Sequence, residues 1–364
     1  MSLPDVVLAV MFLALIAYAL FGGADFGAGI WDLLAGGTVR GRPQRTLIEH
    51  SIGPVWEANH VWLIFVLVVL WTGFPPVFAA VASTLYIPLT LAGFGMIVRG
   101  GAFAFRKTAT TPQMQRFLGA SFALSSVITP YFLGAMVGGV ASGRVPPGIA
   151  AGDVLTSWIN PTSILGGVLA TLVCAYLAAV FLCGDARREA PGLAEGFRAR
   201  ALATAVVVGV VAVAGIFVLR SDAPVLFEQL LGRGLPLMIL SAAGGAVSIV
   251  LLLRRRYLWA RITAAIAVTA VLCGWAAGQY PYVLLPQLTI DQAAVSRTTL
   301  TAILIAVAAG STVLVPSLIL MYRMFQTTPA HPPRWPGLYA KHASTSPSSD
   351  ATAPTSPPGR TRRP

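Results

Sequence analysis

The sequence predicts an all-α, polytopic membrane protein with nine transmembrane helices. Three observations predict it. Of 364 residues 56% are hydrophobic and only 10% charged; the mean hydropathy is +0.76; and apolar runs of membrane-crossing length recur along the chain. A soluble domain carries about 25% charged residues. A hydrocarbon core about 30 Å thick needs roughly 20 apolar residues in helical form. Nine runs meet that requirement, at 6–24, 54–73, 77–98, 117–141, 161–183, 201–219, 235–253, 260–277 and 301–322.

The first run follows Asp5 with no basic residue before it. A cleaved signal peptide has a positive leading region, so this helix is expected to be retained. The run leads into FGGADFGAG, which carries Asp25 and the glycines Gly22, Gly23, Gly27 and Gly29, a set read as helix packing. The second run opens at Pro54, a residue suited to the first turn of a helix, and places Trp56, Glu57, Asn59 and His60 directly after it. The third ends at Arg99. Later runs hold or border Cys174, Cys183 and Cys273 without any CxxC spacing, so they read as small buried hydrophobes rather than disulfides or metal ligands. From residue 327 Pro, Ser and Thr dominate, which predicts a disordered cytoplasmic tail and divides the chain into a transmembrane domain, 1–326, and a tail, 327–364.

Counting Lys and Arg in alternate connections gives 21 on one side of the membrane and 4 on the other. Basic residues collect on the cytoplasmic side, so the N-terminus is expected outside and the C-terminus inside. The net charge of +12 is spread between apolar runs rather than gathered on one face, which argues against nucleic acid as a partner. The bilayer is the medium.

Ionisable groups inside spans are costly and mark candidate sites. Under this topology Asp25, Glu57 and Arg99 arrive from three helices at similar depth toward the inner surface. Glu57 lies near a helix N-terminus, whose dipole favours the carboxylate while burial favours the acid, so the group is suited to exchanging protons. Glu57 and His60 share a helix face, and Trp56, Asn59 and His60 form an overlapping set. A plainer reading makes the carboxylates solvated caps or partners of nearby arginines, and His60 a satisfied buried imidazole. Haem needs axial His, Met or Cys. Only four His are present, and His331 and His342 lie in the tail, leaving His50 and His60. In a redox enzyme, another subunit would hold the cofactors.

Five stretches resemble subunit II of the cytochrome bd-type quinol oxidases: GGADFGAG at 22–29, SIGPVWEANHVW at 51–62, GFGMIVRGGAFAFR at 93–106, GQYPYVLLP at 278–286 and LTIDQAAVSRTTL at 288–300. The resemblance implies two four-helix bundles plus one peripheral helix. It also implies a heterodimer in the bacterial cytoplasmic (inner) membrane that oxidises quinol and reduces dioxygen to water. The haems b and d lie in subunit I of this family, with none bound by this chain alone. Some members carry a structural quinone or a small accessory subunit. The family's proton-entry acid maps onto Glu57, with Asp25, Asn59 and His60 along the path; Arg99 and Trp56 map as structural or ion-pairing residues. Gly22, Ala24 and His60 depart from the family pattern and indicate a divergent branch, such as the cyanide-insensitive oxidases. A proton-coupled secondary transporter is the alternative, since intramembrane carboxylates also suit that function.

Overall fold

The computed structural model describes residues 2–37, 40–52, 56–106 and 108–327, with the side chains of residues 52, 56, 57, 112, 321, 322 and 324–327 outside that description. Packing divides the chain into Met1–Ile319 and Leu320–Pro364; the second unit is described only over 320–327, where it is helical. The tail expected at 327–364 lies outside the described residues from 328 onward.

Helix α1 (Leu3–Ala17) starts in a capping box: Ser2 Oγ accepts from the Asp5 amide, and the Asp5 carboxylate accepts from the Ser2 amide at 2.8 Å. It passes through one wide π turn, Tyr18–Gly22, into α2 (Gly23–Leu33). Then follow α3 (Arg42–Ile52), α4 (Trp56–Gly73), α5 (Pro75–Thr84), α6 (Tyr86–Arg106), α7 (Pro112–Ala141), α8 (Pro161–Glu189) and α9 (Pro191–Asp222). A short α10 (Pro224–Gln229) and a second π turn (Leu230–Gly234) lead into α11 (Leu235–Leu253) and α12 (Tyr257–Gln279). A small antiparallel hairpin, β1 (Tyr282–Leu284) and β2 (Leu288–Thr289), precedes α13 (Ile290–Ala293) and α14 (Arg297–Thr327). Proline opens α5, α7, α8, α9 and α10, where its missing N–H costs nothing and its fixed φ suits the first turn.

Among the described residues eight helices are long and apolar enough to cross a membrane, and the bent pair α4–α5 counts as a ninth when taken as one span. The break corrects the sequence reading. The run at 77–98 is not one helix: α5 turns back from α4 by 118°, and the crossing helix is α6. Phe74, held before Pro75, leaves the helical region at φ −136° and ψ 59°. Pro88 then lacks the N–H that would have bonded the Thr84 carbonyl, so α5 cannot continue into α6. The first crossing helix is also longer than 6–24, running from Leu3 to Leu33. Asp25 therefore sits two turns inside that helix, and Arg99 two turns inside α6, rather than at helix ends.

Helix α7 packs between α6 and α8, α8 also meets α9 and α2, and α11 pairs with α12. One core gathers Leu177, Val180 and Cys183 of α8 with Trp31, Phe197 and Tyr257. A second joins Val7, Val69, Phe74, Leu85, Leu284 and Leu300. Helices α9 and α14 leave most of their apolar side chains exposed, Phe217 and Val313 among them, as surfaces facing lipid or another chain do. At the ends of α7 and α9, Arg144 grips Asp222 with two bonds of 3.0 and 2.6 Å, and Thr162 at the start of α8 donates to the same carboxylate. The hairpin is tied down by Gln279, whose amide donates to the Val283 carbonyl at 3.0 Å.

The α7–α8 contact has no room for a side chain at Gly134: a Cβ there would strike the Gly166 carbonyl and approach Ala170 Cβ to 2.6 Å. Gly134→Ala is therefore expected to destabilise the protein by about 1–3 kcal/mol through overpacking. Gly209→Ala, on the exposed face of α9 with nothing within 4 Å, is expected to be neutral or slightly stabilising. Thermal unfolding of the purified protein in detergent compares the two.

Candidate functional site: a buried ion pair beneath the second span

Arg99 on α6 is 1% exposed, a position in which an arginine survives only with its charge and donors matched. Its Nη2 meets Asp25 Oδ1 of α2 at 2.5 Å and the Asp25 carbonyl at 3.0 Å. Its Nη1 donates to Ser126 Oγ of α7. The guanidinium carbon lies 4.9 Å from the centroid of the Phe26 ring and 4.3 Å from that of Phe122, a cation–π setting strengthened by burial. Two glycines make the approach possible. A Cβ on Gly29 would collide with Ser126 Oγ and crowd Arg99, and one on Gly27 would collide with the Cys174 carbonyl of α8. The glycine set is thus packing, but packing in the service of this pair.

Asp25 is itself 4% exposed, and its Oδ2 has no hydrogen-bond partner among the described residues. His60 on α4 is half-buried with its ring 6.4 Å from Phe26, close enough to interact electrostatically with both Asp25 and Arg99. Asn59, beside it, donates to the Phe21 carbonyl in the π turn at 3.3 Å. Wide turns of this kind recur at functional sites. Asp25, Arg99 and His60 are thus linked electrostatically, and Asn59, beside His60, bonds the π turn that leads into α2. The backbone of Glu57 lies in the first turn of α4, three residues before His60; its carboxyl and the Trp56 ring lie outside the described residues.

Sequence reasoning missed a second rung. Asp32, seven residues after Asp25, receives Arg106 Nη1 at 2.9 Å and Arg45 Nε at 3.2 Å, and Arg106, seven after Arg99, also reaches Glu49 at 3.4 Å. Seven residues are about two turns, or roughly 10 Å of helix. Asp25–Arg99 and Asp32–Arg106 are each separated by 74 positions, as two parallel helices in fixed register require. The doubled heptad spacing was the available signal. Ser126 and Phe122 had none, because an Ser and a Phe in an apolar run look like ordinary packing.

His50 is exposed and bound to Glu189 at 2.7 Å, and His60 faces the Asp25–Arg99 pair. Among the described residues no three of His, Cys, Asp and Glu gather as a metal site. His331 and His342 lie outside the described residues.

Removing one partner of a buried pair strands the other charge. Asp25→Leu is expected to cost about 3–5 kcal/mol, whereas Asp25→Leu combined with Arg99→Met is expected to recover most of that loss. Thermal unfolding of the single and double variants distinguishes stranded charge from lost packing.

Comparison with known proteins agrees with this architecture. A family model described as cytochrome bd terminal oxidase subunit II matches residues 3–325. Cytochrome bd ubiquinol oxidase subunit 2 of Bacillus subtilis (strain 168) is 27% identical over 199 residues, covering 53% of this chain and 58% of that protein. Cytochrome bd-I ubiquinol oxidase subunit 2 of Escherichia coli (strain K12) is 26% identical over 175 residues, covering 46% of this chain and 45% of the relative. The chain thus aligns with about half the length of these curated relatives. A chain of the bd oxidase structure from Geobacillus thermodenitrificans superposes with a TM-score of 0.77 at 27% identity, covering 89% of this chain and 99% of that one. With the family matched from end to end of the described helices, and the same helical arrangement found in a solved relative, this multi-pass protein of the bacterial inner membrane belongs to the cytochrome bd terminal oxidase subunit II family.

Proposed function

We propose that this chain is the haem-free second subunit of a quinol-oxidising, dioxygen-reducing terminal oxidase, and that it carries protons inward from the cytoplasm toward a haem-bearing subunit I. The observation that carries this reading is that His60, one turn after Glu57, interacts with the buried Asp25–Arg99 pair while Asn59 beside it bonds the π turn just before Asp25. Dioxygen reduction at the partner's haems supplies the redox chemistry and consumes protons. This chain's part is to deliver them.

Glu57 is the entry group. At the start of a membrane helix the dipole favours a carboxylate while the apolar setting favours the neutral acid, which suits such a group to exchanging protons. His60, one turn further along, can receive and release a proton through its two ring nitrogens. Asn59 holds the π turn of the first helix in place and so keeps the wall of the path rigid. Arg99 fixes the Asp25 carboxylate by one oxygen and leaves the other to face the path. The excess of basic residues, 21 against 4, supports a cytoplasmic entrance, since α2 and α6 end and α4 begins on the richer side. Entry from that side is also what a proton gradient built by the oxidase requires. Family membership removes the ground for the transporter reading.

A purely structural role is the second reading, favoured by the close ion pair of Arg99 with Asp25. Glu57→Gln separates the two. In the assembled complex it is expected to slow oxygen consumption and proton uptake by about tenfold to a hundredfold, while the visible spectrum and the yield of complex stay unchanged. Wild-type turnover in that variant would assign the chain to scaffolding. Purification of the wild-type chain without a haem-bearing partner would overturn the oxidase reading itself.

A further inference from the structure

The turn between α11 and α12 carries three consecutive arginines, Arg254, Arg255 and Arg256, all exposed. Its backbone closes the end of α11 by two bonds, Arg255 N–H to the Leu252 carbonyl at 3.1 Å and Arg256 N–H to the Leu251 carbonyl at 2.9 Å. This closure puts Arg255 in the left-handed region at φ +58°, a position where glycine is the unstrained choice. Arg255 reaches Glu195 at 3.2 Å, and its carbonyl accepts from Arg187, which also stacks on Tyr257. Arg188, Arg254 and Arg256 have no side-chain partner among the described residues. A concentrated positive charge is thus held at one end of a helix pair with few acids to neutralise it.

Along that same pair runs an open groove of about 370 Å³, lined by Leu237 and Leu240 of α11 and by Ile262, Ile266, Thr269 and Cys273 of α12. Ile262 stands one turn from Leu258, and Ile266 continues the face of Trp259 and Ile262; Leu258 and Trp259 are exposed beside the arginines. From residue 262 to 273 the groove follows roughly 16 Å of helix. Its lining is hydrocarbon apart from Thr269 and the Cys273 thiol, so its occupant is a chain of methylenes rather than a polar solute. Charge at one end of the pair and an apolar furrow that begins at Ile262, in the second turn of α12, are complementary to the head and tail of one molecule.

We propose that the α11–α12 pair is a binding site for an anionic phospholipid, its phosphate held by Arg254 and Arg256 with Arg187 and Arg188 alongside, and one acyl chain laid in the groove. Trp259 lies at the headgroup boundary, where an aromatic ring with an apolar body and a polar edge is favoured. The site is independent of the proton path.

The test is native mass spectrometry of the detergent-solubilised complex, delipidated and then titrated with phosphatidylglycerol or phosphatidylcholine. Wild type is expected to retain phosphatidylglycerol over phosphatidylcholine. Each basic side chain near a bilayer surface contributes roughly fivefold to such binding, so Arg254→Gln with Arg256→Gln is expected to weaken phosphatidylglycerol retention by about thirtyfold. Arg220→Gln with Arg297→Gln removes equal charge elsewhere and is expected to leave retention unchanged. Ala265→Trp, which fills the groove, is expected to weaken both lipids. No preference in wild type, equal loss in the control pair, unaltered retention in the groove-filled variant, or displacement of the lipid by a quinone at equal concentration would each overturn the proposal.

Discussion

A guanidinium cannot be left alone in a hydrophobic interior, and the arrangement of the N-terminal half of this protein follows from that constraint. Arg99 must keep a counter-charge, and Asp25 supplies it from a different helix. Its two terminal nitrogens also find acceptors in the Asp25 carbonyl and Ser126. The flat faces of the ion need cover, which Phe26 and Phe122 give. Each of these demands draws a helix inward, so α2, α6 and α7 come close enough that only glycine fits at the tightest points. The pair adds little net stability once its desolvation is counted. What it provides is a single permitted arrangement of the helices around it.

In the proposed function, that arrangement keeps an acidic group beside a cation and gives it a part in proton movement. In the proposed path Arg99 engages one oxygen of Asp25, and His60 faces the pair from the neighbouring span. Phe26 and Phe122 lie against the guanidinium within this buried setting.

Much of this was legible in the sequence, because a bilayer imposes a length and an apolarity that few other environments do. The helical class and the approximate spans followed from hydropathy, and the relevant ionisable residues stood out by their scarcity. The ends of the helices were less legible. Asp25 and Arg99 looked terminal because hydropathy falls where polar residues begin, although the helices carrying them continue to Leu33 and Arg106. The bend at Phe74 was hidden within an apolar stretch, since averaging over a window ignores the N–H groups that Pro75, Pro76 and Pro88 lack. Ser126 became visible only when the fold brought α7 beside Arg99. The second rung was readable in principle, but finding it required comparing the spacing of acids in one helix with that of bases in another.

The two rungs, Asp25 with Arg99 and Asp32 with Arg106, act together as a register lock. Sliding α2 past α6 by a single turn would break both ion pairs at once and leave opposite charges facing carbon. Piston-like travel of one span against the other is therefore closed to this half of the molecule. The freedom left within this frame is that of turning side chains rather than of travelling helices.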